Sequence, residues 1–426
     1  MDKCNSVVIT GMGIISSIGH DIKSFKNSLK MGMSGIGYLE QDYGAILVKI
    51  GAEIKKPSIK PLGNLKYDKM SDIRTRASKY IRRSLLSIEY AIDASMQAWE
   101  MSGLQEFDID LSRVGLVVAG SNINQKLQFD LYENFMEVPE YLLPSYAMQF
   151  MDTDHIGTIS ELFGIQGEGF TVGGASASGN VGIIKGLQSI QSGHNDICMV
   201  IGAMADLSPM ELQAFYNIGA MGGKKFSADP KKACRPFDSE SEGFIYGQAS
   251  ACVILESLES AKARGAKIYA EIMGGCIVMD GNKMPNPSKE GEARAMSNAL
   301  KQAYVDINSV DYINTHGSSS PLGDATELRA IEDVFGMEKK NIWINSTKSL
   351  TGHCLWSSGI VEAIAVVLQL NSGFVHPNLN LDHPISNEFR FSKEESIVFS
   401  LQIALNNSFG FGGINTSIVI KRGEWN

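Results

Sequence analysis

Residues 173–192 of this 426-residue chain read GGASASGNVGIIKGLQSIQS, a run of small residues that leads directly into a helical pattern. Such a run predicts a tight strand-to-helix turn, because small side chains leave room for the backbone to bend. The free N–H groups at the start of a helix point towards the side chain that stands on the turn, which here is Ser176. From these residues alone, Ser176 is either part of a helix N-cap or a reactive group.

Apolar runs alternate with amphipathic stretches on both sides of this turn. The strand candidates are residues 7–10, 114–119, 199–203, 251–256, 268–276, 312–315, 342–345 and 417–420, and the helix candidates are 79–102, 179–192, 291–304, 325–335 and 359–371. This alternation predicts α/β layers around sheets that are buried on both faces. We expect two halves, residues 1–256 and 267–426, joined by a short helical passage that stops at Gly265.

The composition excludes several classes of function. The net charge of −9 argues against a general nucleic-acid binder. No apolar run reaches roughly 18 residues, so we predict no membrane-spanning helix. The 6 cysteines are scattered singly, which predicts neither disulfides nor a metal site. Because the first residues also lack a signal-peptide pattern, we expect a cytoplasmic protein.

Two glycines, Gly11 and Gly13, follow the strand candidate at 7–10. The order of strand and GxG is typical of a dinucleotide site, but Ser16 stands where the third glycine of GxGxxG belongs. No acidic residue closes a recognisable strand about 20 residues later either. We therefore predict a tight turn at the head of an α/β unit.

Two histidines lie just beyond strand candidates. His316 follows strand 312–315 in the segment THGSSSPLGD, and His353 follows strand 342–345 in NSTKSLTGH, five residues after Lys348. The carboxyl ends of strands are where α/β sheets bind their ligands. A single histidine in such a turn is more often structural, but two of them with a lysine indicate a functional site.

Several segments, in this order, resemble the β-ketoacyl-acyl-carrier-protein synthases of fatty-acid and polyketide synthesis. They are residues 7–13 (VVITGMG), the turn around Ser176, 235–238 (RPFD) with 243–244 (GF), 316–320 (HGSSS), 348–353 (KSLTGH) and 407–413 (NSFGFGG). The resemblance covers essentially the whole chain. It implies the thiolase fold, an α/β fold in which two similar five-stranded halves form a five-layer α-β-α-β-α sandwich, and it implies a homodimer.

The resemblance also implies roles for single residues. In this family a cysteine at the start of a buried helix takes up an acyl group, and two histidines bind the carbonyl of a malonyl thioester. The matching positions are His316 and His353 for the histidines, Lys348 for a lysine, Glu327 for a buried acid and Phe411 for a gating phenylalanine. Ser318 and Ser320 replace threonines and keep hydroxyl groups for the phosphopantetheine arm, which the acyl carrier protein delivers. No bound cofactor or metal is expected.

The departure from the family lies at Ser176, which occupies the cysteine position. A serine hydroxyl has a pKa several units above that of a thiol, and a helix end worth roughly 1 kcal/mol cannot close this gap. Decarboxylation needs only donors at the enolate oxygen, and His316 and His353 supply them. We therefore predict a decarboxylase that converts malonyl-acyl-carrier protein to acetyl-acyl-carrier protein. It resembles those of polyketide β-branching, which supply a partner of the 3-hydroxy-3-methylglutaryl synthase type.

Other interpretations stay open. The turn is also similar to the G-x-S-x-G motif of α/β-hydrolases, with Ser178 in place of the last glycine, which favours a serine acyltransferase or hydrolase. Two further alternatives are a non-catalytic partner resembling a chain-length factor and a condensing enzyme that tolerates serine.

The chain's densest basic run includes Lys79, Arg82 and Arg83, which share one face at helical spacing. We expect the carrier protein to dock there, although a solvated helix face explains the pattern equally well.

Overall fold

The computed structural model describes residues 6–55, 70–82 and 84–423. The strands are β1 (Val7–Ser16), β2 (Gly37–Tyr38), β3 (Ile50–Gly51), β4 (Val114–Ala119), β5 (Gly169–Val172), β6 (Ile197–Gly202), β7 (Ala249–Ser257), β8 (Ala270–Met279), β9 (Tyr312–Asn314), β10 (Trp343–Asn345), β11 (Phe374–Val375), β12 (Arg390–Phe391), β13 (Ile397–Val398), β14 (Ile403–Gly410) and β15 (Ile414–Arg422). The helices are α1 (Ile22–Met31), α2 (Ser71–Ile81), α3 (Leu86–Ser102), α4 (Gln125–Glu137), α5 (Tyr146–Gln149), α6 (Thr153–Phe163), α7 (Ser178–Gln191), α8 (Pro209–Asn217), α9 (Leu258–Ala263), α10 (Lys289–Ala303), α11 (Pro321–Phe335), α12 (Lys348–Thr351) and α13 (Ser358–Ser372).

The main sheet contains the same topology twice. Its strand order is β12-β10-β9-β14-β15-β8-β1-β7-β6-β4-β5. Five strands on each side of the sheet form a repeat. When the strands of each repeat are numbered 1 to 5 along the chain, their order in the sheet is 3-2-4-5-1, as β5-β4-β6-β7-β1 and as β10-β9-β14-β15-β8. In both sets the first three members of the row pair in parallel and the remaining pairs are antiparallel. The two repeats meet where β1 pairs with β8.

The helices form three layers around these strands. Helix α7 contacts β4 and β6 on one side and β8 and β15 on the other, and α13 likewise contacts strands of both repeats. Helices α3 and α6 cover the outer face of the first repeat, and α10 covers β8 and β15 of the second, with α11 packed beside it. The predicted five-layer α/β sandwich is therefore confirmed. The limits 1–256 and 267–426 for its halves stay a prediction.

The central helices touch through glycine. A Cβ atom on Gly179 of α7 would lie 2.9 Å from the Gly359 Cα, and a Cβ on Gly359 of α13 would lie 2.5 Å from the Asn180 nitrogen. Only glycine permits this approach, because no side chain fits between the two backbones. Within the described residues, Leu355–Ser372 is the one helical stretch long and apolar enough to cross a membrane, and 83% of it is buried inside the protein. That burial is typical of a core helix.

The predicted turn at Gly11 and Gly13 is wrong, because β1 contains both residues, although its register against β7 shifts between Ile9 and Gly11. A Cβ atom on Gly11 would lie 2.2 Å from the Ala98 carbonyl oxygen, and one on Gly13 would lie 2.0 Å from that of Ala94. The glycines therefore let helix α3 pack directly against the strand, which is a common use of glycine inside a sheet.

The single helix predicted over residues 79–102 is also wrong. Helix α2 ends at Ile81 and α3 begins at Leu86, with Leu85 in an extended conformation (φ −67°, ψ 155°) between them. The break lets the two helices take different directions. Helix α3 lies on β1 and β7, whereas α2 packs on α3 and α6.

Candidate active site

The turn that carries Ser176 connects β5 to the central helix α7. A 3-10 turn spans Ala175–Ala177, and Ala175 has a φ of 47°, in the left-handed region. The Ser178 hydroxyl donates to the Ala175 carbonyl at 2.7 Å, and the Ser408 hydroxyl donates to the Ser176 carbonyl at 2.9 Å. These contacts hold the half-buried Ser176 side chain beside the start of α7.

His353 presents a hydrogen-bond donor to Ser176. Its Nδ1 accepts from the Leu355 backbone N–H at 3.1 Å and lies 3.0 Å from the Ser358 hydroxyl. Since a backbone N–H only donates, Nδ1 is the unprotonated nitrogen and the neutral ring carries its proton on Nε2. Burial, and then the charge of Lys348, lower the pKa of His353 well below its ordinary value. The Nε2–H group therefore donates to the Ser176 Oγ, 2.9 Å away.

His316 is fixed through its backbone rather than through its ring. The N–H groups of His316 and Gly317 donate to the two carboxylate oxygens of Glu327 at 2.9 and 2.8 Å. The His316 ring lies 5.5 Å from the His353 ring, nearly perpendicular to it, and 5.7 Å from Phe409. Burial, then the charge of Lys348 and the proximity of His353, lower the pKa of His316 well below its ordinary value. Its buried Nδ1 has no hydrogen-bond partner in the part of the chain that the structure describes.

Lys348 acts from outside the cavity. It is 1% exposed, and its ammonium group forms a hydrogen-bonded ion pair with Glu362 of α13. Burial raises the pKa of Glu362 to about 7, although the lysine opposes the shift. Because the Lys348 charge lowers the pKa of both histidines, its effect is to keep the two rings neutral. Sequence reasoning missed Glu362, whose only signal was a single carboxylate inside an apolar helix.

A cavity of ≈ 240 Å³ brings most of the predicted residues together. The predicted residues that line it are Ser176, His316, Ser318, Ser320, Glu327, His353 and Phe411. Lys348 is not among the lining residues. The structure thus collects in one place side chains that are up to 235 positions apart (411 minus 176) in the chain.

Aromatic contacts connect Phe411 to the pair formed by His316 and His353. Its ring lies 6.3 Å from Phe215, which lies 5.6 Å from Phe244, and Phe244 packs edge-on against His353 at 5.1 Å. Phe411 is 39% exposed. A partly exposed ring at the end of such a row suits the gating role that the resemblance implies.

The RPFD segment supports the His316 loop from behind. The Arg235 N–H donates to the Ser319 hydroxyl at 2.9 Å, and the Phe237 N–H donates to Asp324 at 2.7 Å. The Arg235 side chain is buried between Asp238 and Asp382. This motif is therefore part of the scaffold that positions the serines of HGSSS, and its own charged groups are paired.

Two of the three proposed docking residues, Lys79 and Arg82, are not among the residues that line the cavity. Lys79 and Arg82 are exposed at the end of α2, and Arg83 lies outside the described residues. Since α2 ends at Ile81, Lys79 lies within the helix and Arg82 follows its last residue. Docking at this surface stays a prediction.

Glu292, in the first turn of α10, is a cavity residue that sequence reasoning missed. It is 1% exposed. Burial, then the neighbouring Glu327, Asp280 and Asp324, raise its pKa well above its ordinary value. The sequence offers no signal for this, because acidic residues near a helix start are ordinary surface features.

Known proteins resemble the chain along its full length. The family model for the N-terminal domain of β-ketoacyl synthase matches residues 4–261, and that for the C-terminal domain matches 269–382. The chain is 40% identical to the polyketide biosynthesis malonyl-ACP decarboxylase PksF of Bacillus subtilis (strain 168), covering 100% of this chain and 99% of the relative. It is 32% identical to 3-oxoacyl-[acyl-carrier-protein] synthase 2 of Staphylococcus aureus (strain N315), covering 100% of both.

Solved structures show the same likeness. A type II polyketide synthase ketosynthase solved in complex with its acyl-carrier protein (AntDE:AntF) superposes with a TM-score of 0.85 at 26% identity, covering 99% of this chain and 100% of that one. The ishigamide ketosynthase/chain length factor superposes with a TM-score of 0.85 at 27% identity, covering 98% of this chain and 99% of that one. The resemblance predicted from the motifs is confirmed, and the chain belongs to the β-ketoacyl synthase family.

Proposed function

We propose that this protein decarboxylates malonyl-acyl-carrier protein to acetyl-acyl-carrier protein and does not condense two acyl groups. The observation that carries the proposal is the hydrogen bond from the His353 Nε2–H to the Ser176 Oγ. A serine becomes a nucleophile when an adjacent base takes its proton, and here the adjacent histidine donates instead. The Bacillus subtilis relative, named as a malonyl-ACP decarboxylase, supports the same reaction.

The chemistry follows from the two neutral histidines. The thioester carbonyl oxygen of the malonyl group accepts hydrogen bonds from His353 and His316. The bond between C2 and the carboxylate carbon then breaks, its electron pair moves into the enolate, and CO2 leaves. Preorganised donors at the oxygen that becomes charged are usually the largest source of catalysis. A proton added to C2 gives the acetyl thioester.

The alternatives have less support. A serine acyltransferase or hydrolase needs an imidazole acceptor on Ser176, but the His353 Nδ1 already accepts two donors and its Nε2 carries the proton. A non-catalytic partner resembling a chain-length factor would not need two histidines that face each other at 5.5 Å in a cavity. A condensing enzyme needs an acyl acceptor, which a serine without a base does not provide.

The substrate is delivered by its carrier. We propose that the phosphopantetheine arm enters along Ser318 and Ser320, which line the cavity, and that the acidic carrier docks on Lys79, Arg82 and Arg83. Because the chain carries a net charge of −9, such attraction must be local. The acetyl product would pass to an enzyme of the 3-hydroxy-3-methylglutaryl synthase type in polyketide β-branching.

We further propose a homodimer in the cytoplasm. Large apolar side chains are exposed along α4 and the segment after it, namely Phe129, Tyr132, Phe135, Met136, Tyr141, Leu143, Met148 and Phe150. Exposed apolar surface of this extent is typical of an interface. Strand β5 also lies at the open edge of the sheet. Light scattering at increasing protein concentration would measure the state in solution, and a monomer throughout would contradict the dimer.

Mass spectrometry of malonyl-carrier protein incubated with the purified enzyme tests the function. We expect acetyl-carrier protein without an acyl group on Ser176. Acylated Ser176 would favour the acyltransferase, and unchanged malonyl-carrier protein would favour the non-catalytic partner. The double variant His316→Ala/His353→Ala is the matched negative control, because it lacks both enolate donors.

A further inference from the structure

Glu292 is a carboxyl group of the described cavity lining for which the reaction above gives no role. Its Oε2 is buried and has no hydrogen-bond partner among the residues that the structure describes. Buried polar atoms are almost always paired, so an unpaired carboxyl in a reaction cavity calls for a functional explanation. The cavity that it lines is the one that holds Ser176 and both histidines.

Neighbouring contacts place Glu292 on the side of α10 that faces the His316 loop. Met296 follows one turn later, on the same face of the helix. The Asn407 side-chain amide donates to the Met296 sulfur at 3.3 Å and to the Glu327 carboxylate at 3.2 Å. Glu327 in turn accepts the His316 backbone N–H. The helix face that carries Glu292 is therefore joined to the histidine loop through two side chains.

Charged groups around Glu292 favour its neutral, protonated form. Asp324 and Glu327 approach from α11, and Asp280 from the segment after β8, while Arg329 opposes them more weakly. With burial, which is the largest cause, these carboxylates hold the pKa of Glu292 well above its ordinary value of 4.5. The raised pKa favours the carboxylic acid form of Glu292, which has a proton to give.

Other protic groups of the described lining are poor proton donors to carbon. Ser176 keeps its proton because a hydroxyl is a very weak acid. Losing a proton from a neutral imidazole would require His353 or His316 to become an anion. Glu327 uses its oxygens to accept the N–H groups of His316 and Gly317, and Asp280 accepts from the Asn415 amide at 2.7 Å.

Resting on the proposed function, we propose that Glu292 is the catalytic acid that protonates C2 after CO2 has left. The O–H bond of Glu292 breaks, its proton forms the new C–H bond with the enolate electron pair, and the thioester carbonyl is restored. The resulting carboxylate regains a proton from water at the cavity mouth, so each turnover consumes one solvent proton. A positioned acid of this kind contributes roughly 10²–10⁴-fold to a rate. A condensing enzyme needs no such group, because its carbanion attacks an acyl carbon.

The test compares Glu292→Gln with Glu290→Gln, an exposed acid in the same helical turn. Glutamine has the shape of a protonated glutamate but no acidic proton. We expect kcat of Glu292→Gln to fall about 10²-fold at the low end of the range above, with KM for malonyl-carrier protein unchanged. Because its enolate lives longer, ¹³CO2 supplied in solution should exchange into unreacted malonyl-carrier protein. Glu290→Gln should match the wild type in both measurements.

A second measurement does not depend on how much of the variant folds. In an equal mixture of H2O and D2O, the ratio of H to D in the acetyl methyl group reports the proton donor, and it should differ between Glu292→Gln and the wild type. Unchanged kcat and unchanged isotope ratio in Glu292→Gln would show that water is the donor and overturn the proposal. Lost turnover without ¹³CO2 exchange and without a changed ratio would overturn it in favour of a structural role.

Stability against pH gives a readout that needs no substrate. The raised pKa means that the folded protein binds the Glu292 proton more tightly than the unfolded chain does, so the stability it contributes is complete below about pH 4.5 and declines as pH rises. The Tm of Glu292→Gln relative to wild type should therefore increase from pH 5 to pH 8. A pH-independent difference would contradict the protonated state. If the wild-type enzyme itself releases no CO2, the proposed function is wrong. If the wild type is active and Glu292→Gln is equally active, the decarboxylase function stands and only the role of Glu292 is wrong.

Discussion

The two turns that lead into the central helices have the same backbone but different chemistry. In the first repeat, the turn Ala175–Ala177 precedes α7, and in the second the turn Leu355–Ser357 precedes α13. Both turns begin with a left-handed residue that is not glycine, with φ of 47° at Ala175 and 50° at Leu355. Each following helix then starts with serine and glycine.

The difference lies in the length of chain between strand and turn. Two residues, 173–174, connect β5 to the first turn, whereas nine, 346–354, connect β10 to the second. The longer connection carries Lys348 and His353, and Trp356 stands at the position that matches Ser176. The two repeats thus share a frame for the central helices, and Lys348 and His353 lie on the extra residues of the longer connection. The following predictions test this division of roles.

Removing a histidine should have the largest effect. His353→Ala and His316→Ala should each lower kcat for decarboxylation by roughly 10²–10³-fold, because each removes a donor to the enolate oxygen. Circular dichroism should show an intact fold. His194→Ala, at an exposed position, is the control and should leave kcat unchanged. Near-wild-type turnover in either cavity variant would contradict the donor role of that histidine.

The shared frame should respond symmetrically. Gly179→Ala and Gly359→Ala each place a methyl group against the opposite backbone, and we expect each to lower the free energy of unfolding by about 1–3 kcal/mol. Denaturant titration measures this. A Cβ atom on Gly157 of α6 would have no neighbour within 4 Å among the residues that the structure describes, so Gly157→Ala should instead stabilise by roughly 0.5–1 kcal/mol. A lower free energy of unfolding in only one of the two variants would contradict the equivalence of the two central helices.

Ser176→Ala should be mild, with kcat reduced less than about tenfold, which corresponds to roughly 1.4 kcal/mol. The serine accepts a hydrogen bond that the substrate oxygen takes over, and it is not needed as a nucleophile. Steady-state turnover of malonyl-carrier protein measures the effect. A decrease in kcat as large as that of the histidine variants would show that the Ser176 hydroxyl has a polar or nucleophilic role.

Ser176→Cys tests whether the first turn can take up an acyl group once it carries a thiol. The start of α7 lowers the pKa of a thiol, so this variant should take up an acyl group from acyl-carrier protein. Mass spectrometry of the intact protein detects the adduct, and the wild type is the control. No adduct would mean that other changes have closed the acyl site.

The smallest effect should come from the surface of the first repeat. Lys79→Glu/Arg82→Glu should raise KM for malonyl-carrier protein several-fold, with no change for a small malonyl-pantetheine substrate, because the proposed docking surface would contact only the carrier. Added salt should raise the wild-type KM as the Debye length falls below about 10 Å. Lys30→Glu, a charge reversal at another exposed position, is the control. Equal effects on both substrates would place docking elsewhere.

Sequence reasoning found the residues whose chemistry is visible locally. Ser176, His316 and His353 each lie in a connection that follows a strand, and short motifs mark all three. It missed Glu292 and Glu362, because a carboxylate becomes unusual only when other segments bury it. The same limit explains the wrong prediction of a turn in β1, because the role of Gly11 depends on its contact with helix α3.

The position of β1 has a consequence for how the protein is made. This fully buried apolar strand pairs with β7 and β8, which the ribosome produces more than 230 residues later, since β1 ends at 16 and β7 begins at 249. At roughly 5–20 residues per second, the nascent strand waits on the order of tens of seconds for its partners. An exposed apolar strand of this kind promotes aggregation during synthesis. Slower initiation, lower temperature and chaperone supply should therefore raise the soluble yield, whereas a fragment containing only the first repeat would lack one of the two neighbours of β1.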